Sequence, residues 1–204
     1  VMDQDGANHR FLTSGQSLVL MPRFSPASET LSYMSFAGDQ PRVWIYNLGT
    51  GRQEAVGSFD SMSFAGRFSP DGRTLVFSVT RSGNSDIYAY DIASKTTRRL
   101  TSGNSIDTSP SFSPDGRRIV FESDRGGAQQ LYVMNADGSN AQRISFGDGR
   151  AGSPVWSPRG DLIAFTRMQG GKFRIAVIKP DGSGERLLTD SWQDESPSWS
   201  PNGR

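Results

Sequence analysis

Cysteine is absent from this 204-residue chain, and histidine occurs once, as His9. Without thiols there is neither a disulfide framework nor a thiolate metal site. A lone imidazole with no plausible serine partner leaves no His-based triad. The chain also has no Gly-x-Ser-x-Gly elbow, no Walker-type loop and no dinucleotide fingerprint. No catalytic residue is therefore assigned. Charge of one sign is scarce in excess: 22 Lys+Arg stand against 21 Asp+Glu, mixed along the chain, for a formal net charge of +1. Nothing there points to nucleic acid or to a membrane surface. No apolar run approaches the roughly 20 residues that span a bilayer, so direct insertion is not expected. A cysteine-free chain suits the periplasm and the cytoplasm equally.

Glycine (23) and proline (11) are plentiful, and they recur at fixed phases. An aromatic residue followed by Ser-Pro occurs at Phe24, Phe68, Phe112, Trp156 and Trp199, with steps of 44, 44, 44 and 43 residues. A period in the forties with strand-like content is the sign of a β-propeller, one blade per repeat. In the repeat Gly66 to Gly103, four short strands can be read outward from the hub and lettered A to D. Arg67–Ser69 is strand A. Pro70-Asp71-Gly72 is a tight turn, because Pro presets φ, Asp bonds back to the chain and Gly tolerates positive φ. Thr74–Val79 is strand B, Ile87–Ile92 strand C and Thr97–Thr101 strand D. The expected class is all-β: an antiparallel four-stranded meander repeated as blades.

The register holds residue by residue. Leu31, Leu75, Ile119 and Ile163 open strand B. Tyr33, Phe77, Phe121 and Phe165 follow two residues on, on the same face. Trp44, Tyr88 and Tyr132 share a site in strand C, where the fourth repeat has Ala176. These are core positions, and the Phe77 set is expected to anchor blade against blade. The blades are placed at 21–60, 61–104, 105–148 and 149–191. Residues 1–20 match the end of a preceding blade, and 192–204 the start of another. The two ends lack a strand B between them, so the chain is expected to be a partial ring that self-associates through its open edges.

Propeller geometry puts the D–A and B–C connections on one face. The D–A stretches Gly57–Gly66, Ser102–Ser109, Gly147–Ser153 and Asp190–Ser196 are expected as loops around the channel mouth, the default concave site for a partner. Asp60, Asp107, Asp148, Asp190, Asp194 and Glu195 recur there. They are either surface charge or oxygens for a calcium ion in the channel. Of the four tryptophans only Trp192, in a D–A stretch, is expected on the surface.

Several long runs resemble the TolB family. They include Phe112-Ser113-Pro114-Asp115-Gly116, Ile119 to Gly127, Leu131-Tyr132-Val133-Met134, Asp3 to Asn8, Arg143 to Gly149 and Lys179 to Thr189. The resemblance covers essentially the whole chain. It implies a non-enzymatic periplasmic protein of the Tol–Pal system, with an N-terminal α/β domain before a six-bladed propeller. It implies roles in outer-membrane integrity and in invagination during division. The implied partners are the lipoprotein Pal at the channel mouth, TolA through the N-terminal domain, and bacteriocins that exploit the propeller for import. Carried over by position, the Pal-facing residues are Met62, Ser63, Ala65, Asp107, Thr108 and Ser109, with Arg150 and Glu195 as neighbours. Met62 departs from the polar residue or histidine common there. No cofactor is implied, apart from calcium that some members hold in the channel. The alternatives are the propeller of a prolyl-oligopeptidase-like peptidase and a cytoplasmic scaffold propeller.

Overall fold

A computed structural model describes residues 1–203 of the chain. It contains sixteen strands and, among the described residues, no helix. The first blade is β1 (Val19–Phe24), β2 (Thr30–Ser35), β3 (Arg42–Asn47) and β4 (Gln53–Ala55). The second is β5 (Ser63–Phe68), β6 (Thr74–Arg81), β7 (Asn84–Asp91) and β8 (Thr97–Arg99). The third is β9 (Asp107–Phe112), β10 (Arg118–Ser123), β11 (Gln130–Asn135) and β12 (Gln142–Arg143). The fourth is β13 (Arg150–Trp156), β14 (Ile163–Gln169), β15 (Lys172–Ile178) and β16 (Arg186–Leu187). Each blade is a four-stranded antiparallel sheet in sequence order, so the class read from the repeat is the class observed. The four sheets form an arc and not a closed ring.

Turn chemistry builds each A–B corner. In the second blade the Ser69 hydroxyl donates to Asp71 Oδ1 (2.5 Å), and the same oxygen accepts from Arg73 N (3.1 Å). Ser113 and Asp115 repeat this in the third blade (2.5 and 3.1 Å). These bonds favour the ionised carboxylate and hold Asp71 and Asp115 below the usual aspartate range. Gly72 has φ +68°, and a Cβ there would meet Ser25 Oγ at 2.8 Å and Ala27 Cβ at 2.9 Å. That glycine therefore lets the corner of one blade lie against the corner of the blade before it.

Three apolar clusters lie between blades, not within them. One joins the first two blades through Val43, Ile45, Val56, Leu75 and Phe77. A second joins the second and third through Val76, Ile87, Leu100, Ile119 and Phe121. A third joins the third and fourth through Val120, Leu131, Ile144, Ile163 and Phe165. Phe77, Phe121 and Phe165 are wholly buried, each facing the preceding blade, as the register implied. Burying one such ring contributes about 1.5–3 kcal/mol.

Two expectations need correction. Strand A starts four or more residues earlier than read: β5 opens at Ser63, β9 at Asp107 and β13 at Arg150. Much of three supposed D–A loops is strand. Residues 1–18 contain no strand. They hold a turn at 3–7 closed by Val1 N to Arg10 O and Arg10 N to Val1 O (both 2.9 Å), which resembles a C–D corner.

Candidate docking site

The physical core of the site is a kink in every innermost strand. In β1, β5, β9 and β13 the pairing register slips by one residue. At each slip a non-glycine residue takes positive φ: Met21 (55°), Ala65 (58°), Ser109 (54°) and Ser153 (51°). Ser196 (56°) occupies the same position in the stretch after the fourth blade. The following residue is Pro22, Gly66, Pro110, Pro154 or Pro197. Proline lacks the ladder donor and is confined to edges and bulges, so it suits the bulge in β1, β9 and β13, and Gly66 takes its place in β5. The four bulges and the Ser196 turn converge on one cavity. Met21, Ala65, Ser109, Ser153 and Ser196 line one cavity of about 150 Å³ with Arg23, Arg67 and Val155. This is the central channel.

The rim lies one step outward, just before each bulged segment. Leu18, Met62 and Ile106 hold one register site in three successive blades, 58, 39 and 46 % exposed. Arg150 holds that site in the fourth and is exposed too. Three apolar side chains are thus left in water at one register position, one per successive blade. Leu18 and Ile106 were missed in the sequence, although a step of 44 from Met62 in either direction finds both.

The carried-over residues divide by environment. Met62 and Arg150 sit on the rim, and Ala65 and Ser109 face the channel. Glu195 is exposed beside Ser196. Ser63, Asp107 and Thr108 are buried, and their expected placement in surface loops is corrected. The Ser63 hydroxyl accepts from Val43 N (2.9 Å), tying the second blade to the first. Asp107 bonds Arg125 (2.8 Å). Thr108 donates to Glu122 Oε1 (2.5 Å), which also accepts from Ser109 Oγ (3.0 Å), while Glu122 Oε2 accepts from Ser153 N (2.7 Å). Glu122 thus fastens the third blade to the fourth at the hub. Trp192 is 66 % exposed, with Lys172 Nζ 4.6 Å over its ring.

The calcium expectation can be tested against the donors present. None of Asp60, Asp107, Asp148, Asp190, Asp194 or Glu195 lines the channel, and its two charged lining residues are arginines. Among the described residues, no group of three or more His, Cys, Asp or Glu side chains is placed to hold a metal. This channel wall does not fit calcium. No helix of the described residues is long and apolar enough to cross a membrane.

Blades fanned about a bulge-lined channel with an exposed apolar rim define a β-propeller domain built to present one face. The family model described as the TolB beta propeller domain matches residues 1–204. The chain belongs to that family. It is 60 % identical over 64 residues to the Tol-Pal system protein TolB of Paramagnetospirillum magneticum, a stretch covering 31 % of this chain and 14 % of that one. The Zymomonas mobilis protein of the same name is 61 % identical over 56 residues, 28 % of this chain and 12 % of its own. The crystal structure of TolB from Acinetobacter baumannii superposes with a TM-score of 0.86 at 32 % identity, covering 99 % of this chain and 51 % of that one. The chain thus spans about half the length of that structural relative. An oligogalacturonate lyase from Vibrio parahaemolyticus (TM-score 0.66, 13 % identity, 87 % of this chain and 55 % of that one) shares the fold alone.

Proposed function

We propose that this chain is a non-enzymatic docking module of the Tol–Pal system in the periplasm, and that its channel-mouth rim binds the lipoprotein Pal. The observation that carries this reading is the exposed apolar arc Leu18, Met62 and Ile106, one residue per blade at one register site. The scaffold beneath it is rigid, because buried rings and hydrogen-bonded side chains join each blade to the next. A pre-organised surface loses little conformational freedom on docking. Arg150 continues the rim with a charge suited to an acidic contact. The reading supports roles in envelope integrity and division through that one contact, and needs no bound cofactor. Titrating Pal against this chain and against the Met62→Asp, Ile106→Asp variant tests it. Two charges on the rim are expected to weaken binding at least ~10-fold, since central apolar anchors carry most interface energy. The circular dichroism spectrum and melting curve should stay unchanged. Undiminished affinity with an intact fold would refute the assignment.

A further inference from the structure

We propose that the central channel of this chain is an oxyanion site, with Arg23 and Arg67 as its two anchors. The argument stands apart from the docking of Pal on the rim. Arg23 and Arg67 occupy one register position, two residues beyond the bulge, in adjacent blades, and both line the channel. The same position holds Ser111 and Val155 in the next two blades. Ser109, Ser153 and Ser196 line the same cavity, and none of its lining residues is acidic.

Neither guanidinium is neutralised within the described residues. The ion pairs there belong to Lys95, Arg99, Arg125, Arg159 and Arg167. Arg23 has one hydrogen bond, from Nη1 to the neighbouring Pro22 carbonyl at 3.2 Å. Arg23 is solvent-exposed on the channel wall, and partial desolvation there pulls its pKa below the ordinary arginine value. Glu122, behind Ser109 and Ser153, already has its oxygens engaged by two hydroxyls and an amide. Two like charges on one concave wall raise the local positive potential, and an anion lowers it. A guanidinium fork matches carboxylate or phosphate oxygens in pairs. A cavity of about 150 Å³ holds one such group with some of its water, at ~30 Å³ per water molecule.

The shared chemistry is a compact oxyanion, either free phosphate or the carboxylate of an acidic side chain on a bound polypeptide. Calorimetric titration of the 204-residue chain with inorganic phosphate, at constant ionic strength in chloride, is the direct test. One phosphate per chain is expected, with affinity at least ~10-fold weaker in the Arg23→Gln, Arg67→Gln double variant. N-acetylglutamate added first should compete if carboxylates share the site, and failure to compete assigns it to phosphate. Should the double variant not fold, Arg67→Gln alone replaces it. No phosphate binding to the wild-type chain, binding unchanged in the variants, or stoichiometric calcium binding competing with phosphate would each overturn the proposal. None of these outcomes depends on Pal.

Discussion

Four backbone amides within strand C show how single residues hold the blades. Ile87 N donates to Thr101 Oγ1 (2.9 Å), Leu131 N to Ser145 Oγ (2.8 Å) and Ile175 N to Thr189 Oγ1 (3.0 Å). In the first blade that hydroxyl site is Gly57, and Ser63 of the next blade bonds Val43 N instead. Ser63→Ala should therefore destabilise the chain by about 1–3 kcal/mol, the cost of orphaning a buried donor, read from urea denaturation. Asp86 and Asp107 carry a different strain. They are 4 and 0 % exposed, and each uses one oxygen on an arginine, Arg99 (2.6 Å) and Arg125 (2.8 Å). Each leaves its Oδ1 buried without a partner. Burial above all, with the Asp107 charge adding, raises the Asp86 pKa, against the pull of Arg99 and Thr101. The folded chain then binds that proton more tightly than the unfolded chain. This contribution favours folding below the unfolded value, near 3.9, and fades as pH rises through the raised folded value. The stability of wild type relative to Asp86→Asn should accordingly rise as pH is lowered from 7 toward 4, measured by denaturation at each pH. A flat difference would remove Asp86 from the account. Turn carboxylates such as Asp71 act in the opposite sense, their stabilisation being lost as pH falls.

At the scale of the element, the innermost strand decides the site. Its outer half, ending in aromatic-Ser-Pro, was legible because the tripeptide repeats five times. Its inner half is strand where a loop was expected, and Pro110 and Pro154, which cannot donate to a ladder, sit inside it. The bulge resolves the conflict by leaving the proline unpaired while the strand continues. Its leading residue is held left-handed, which costs a non-glycine side chain about 1–2 kcal/mol. Ala65→Gly should relieve this strain and raise stability by ~0.5–1 kcal/mol after the added freedom of the unfolded chain is counted. A matched pair of thermal melts would show it. A loss of stability would mean that the Ala65 methyl contributes more at the hub than its backbone costs.

At the scale of the molecule, each blade exposes the face it does not share. On the first blade Leu20 and Phe24 are 38 and 63 % exposed, and Phe11, in the stretch before it, is 85 % exposed. An apolar cavity of about 510 Å³ opens there between Val1, Phe11, Pro22, Phe24, Leu31 and Tyr33. A sheet face of that kind attracts another apolar surface. The isolated chain should therefore associate as its concentration rises, seen as an increasing sedimentation coefficient, and Phe24→Ser should reduce the effect. A constant monomeric coefficient across that range would count against it.

Periodicity alone determined the number of complete blades, the corner turns and the aromatic layer between blades, because each depends on residues close in the chain or equivalent by translation. It also contained the rim, since Leu18, Met62 and Ile106 stand 44 residues apart. What only the tertiary structure decided is which residues face water and which face another blade. Ser63, Asp107 and Thr108 are polar, Ser63 and Asp107 each follow an exposed residue, and nothing local marks the three as buried. Their partners Val43, Arg125 and Glu122 lie 14 to 20 residues away. Equally, Arg23 and Arg67 line one cavity only because successive strands are brought side by side at the hub. Burial and charge proximity come from the whole fold, and the chemistry of the channel follows from them.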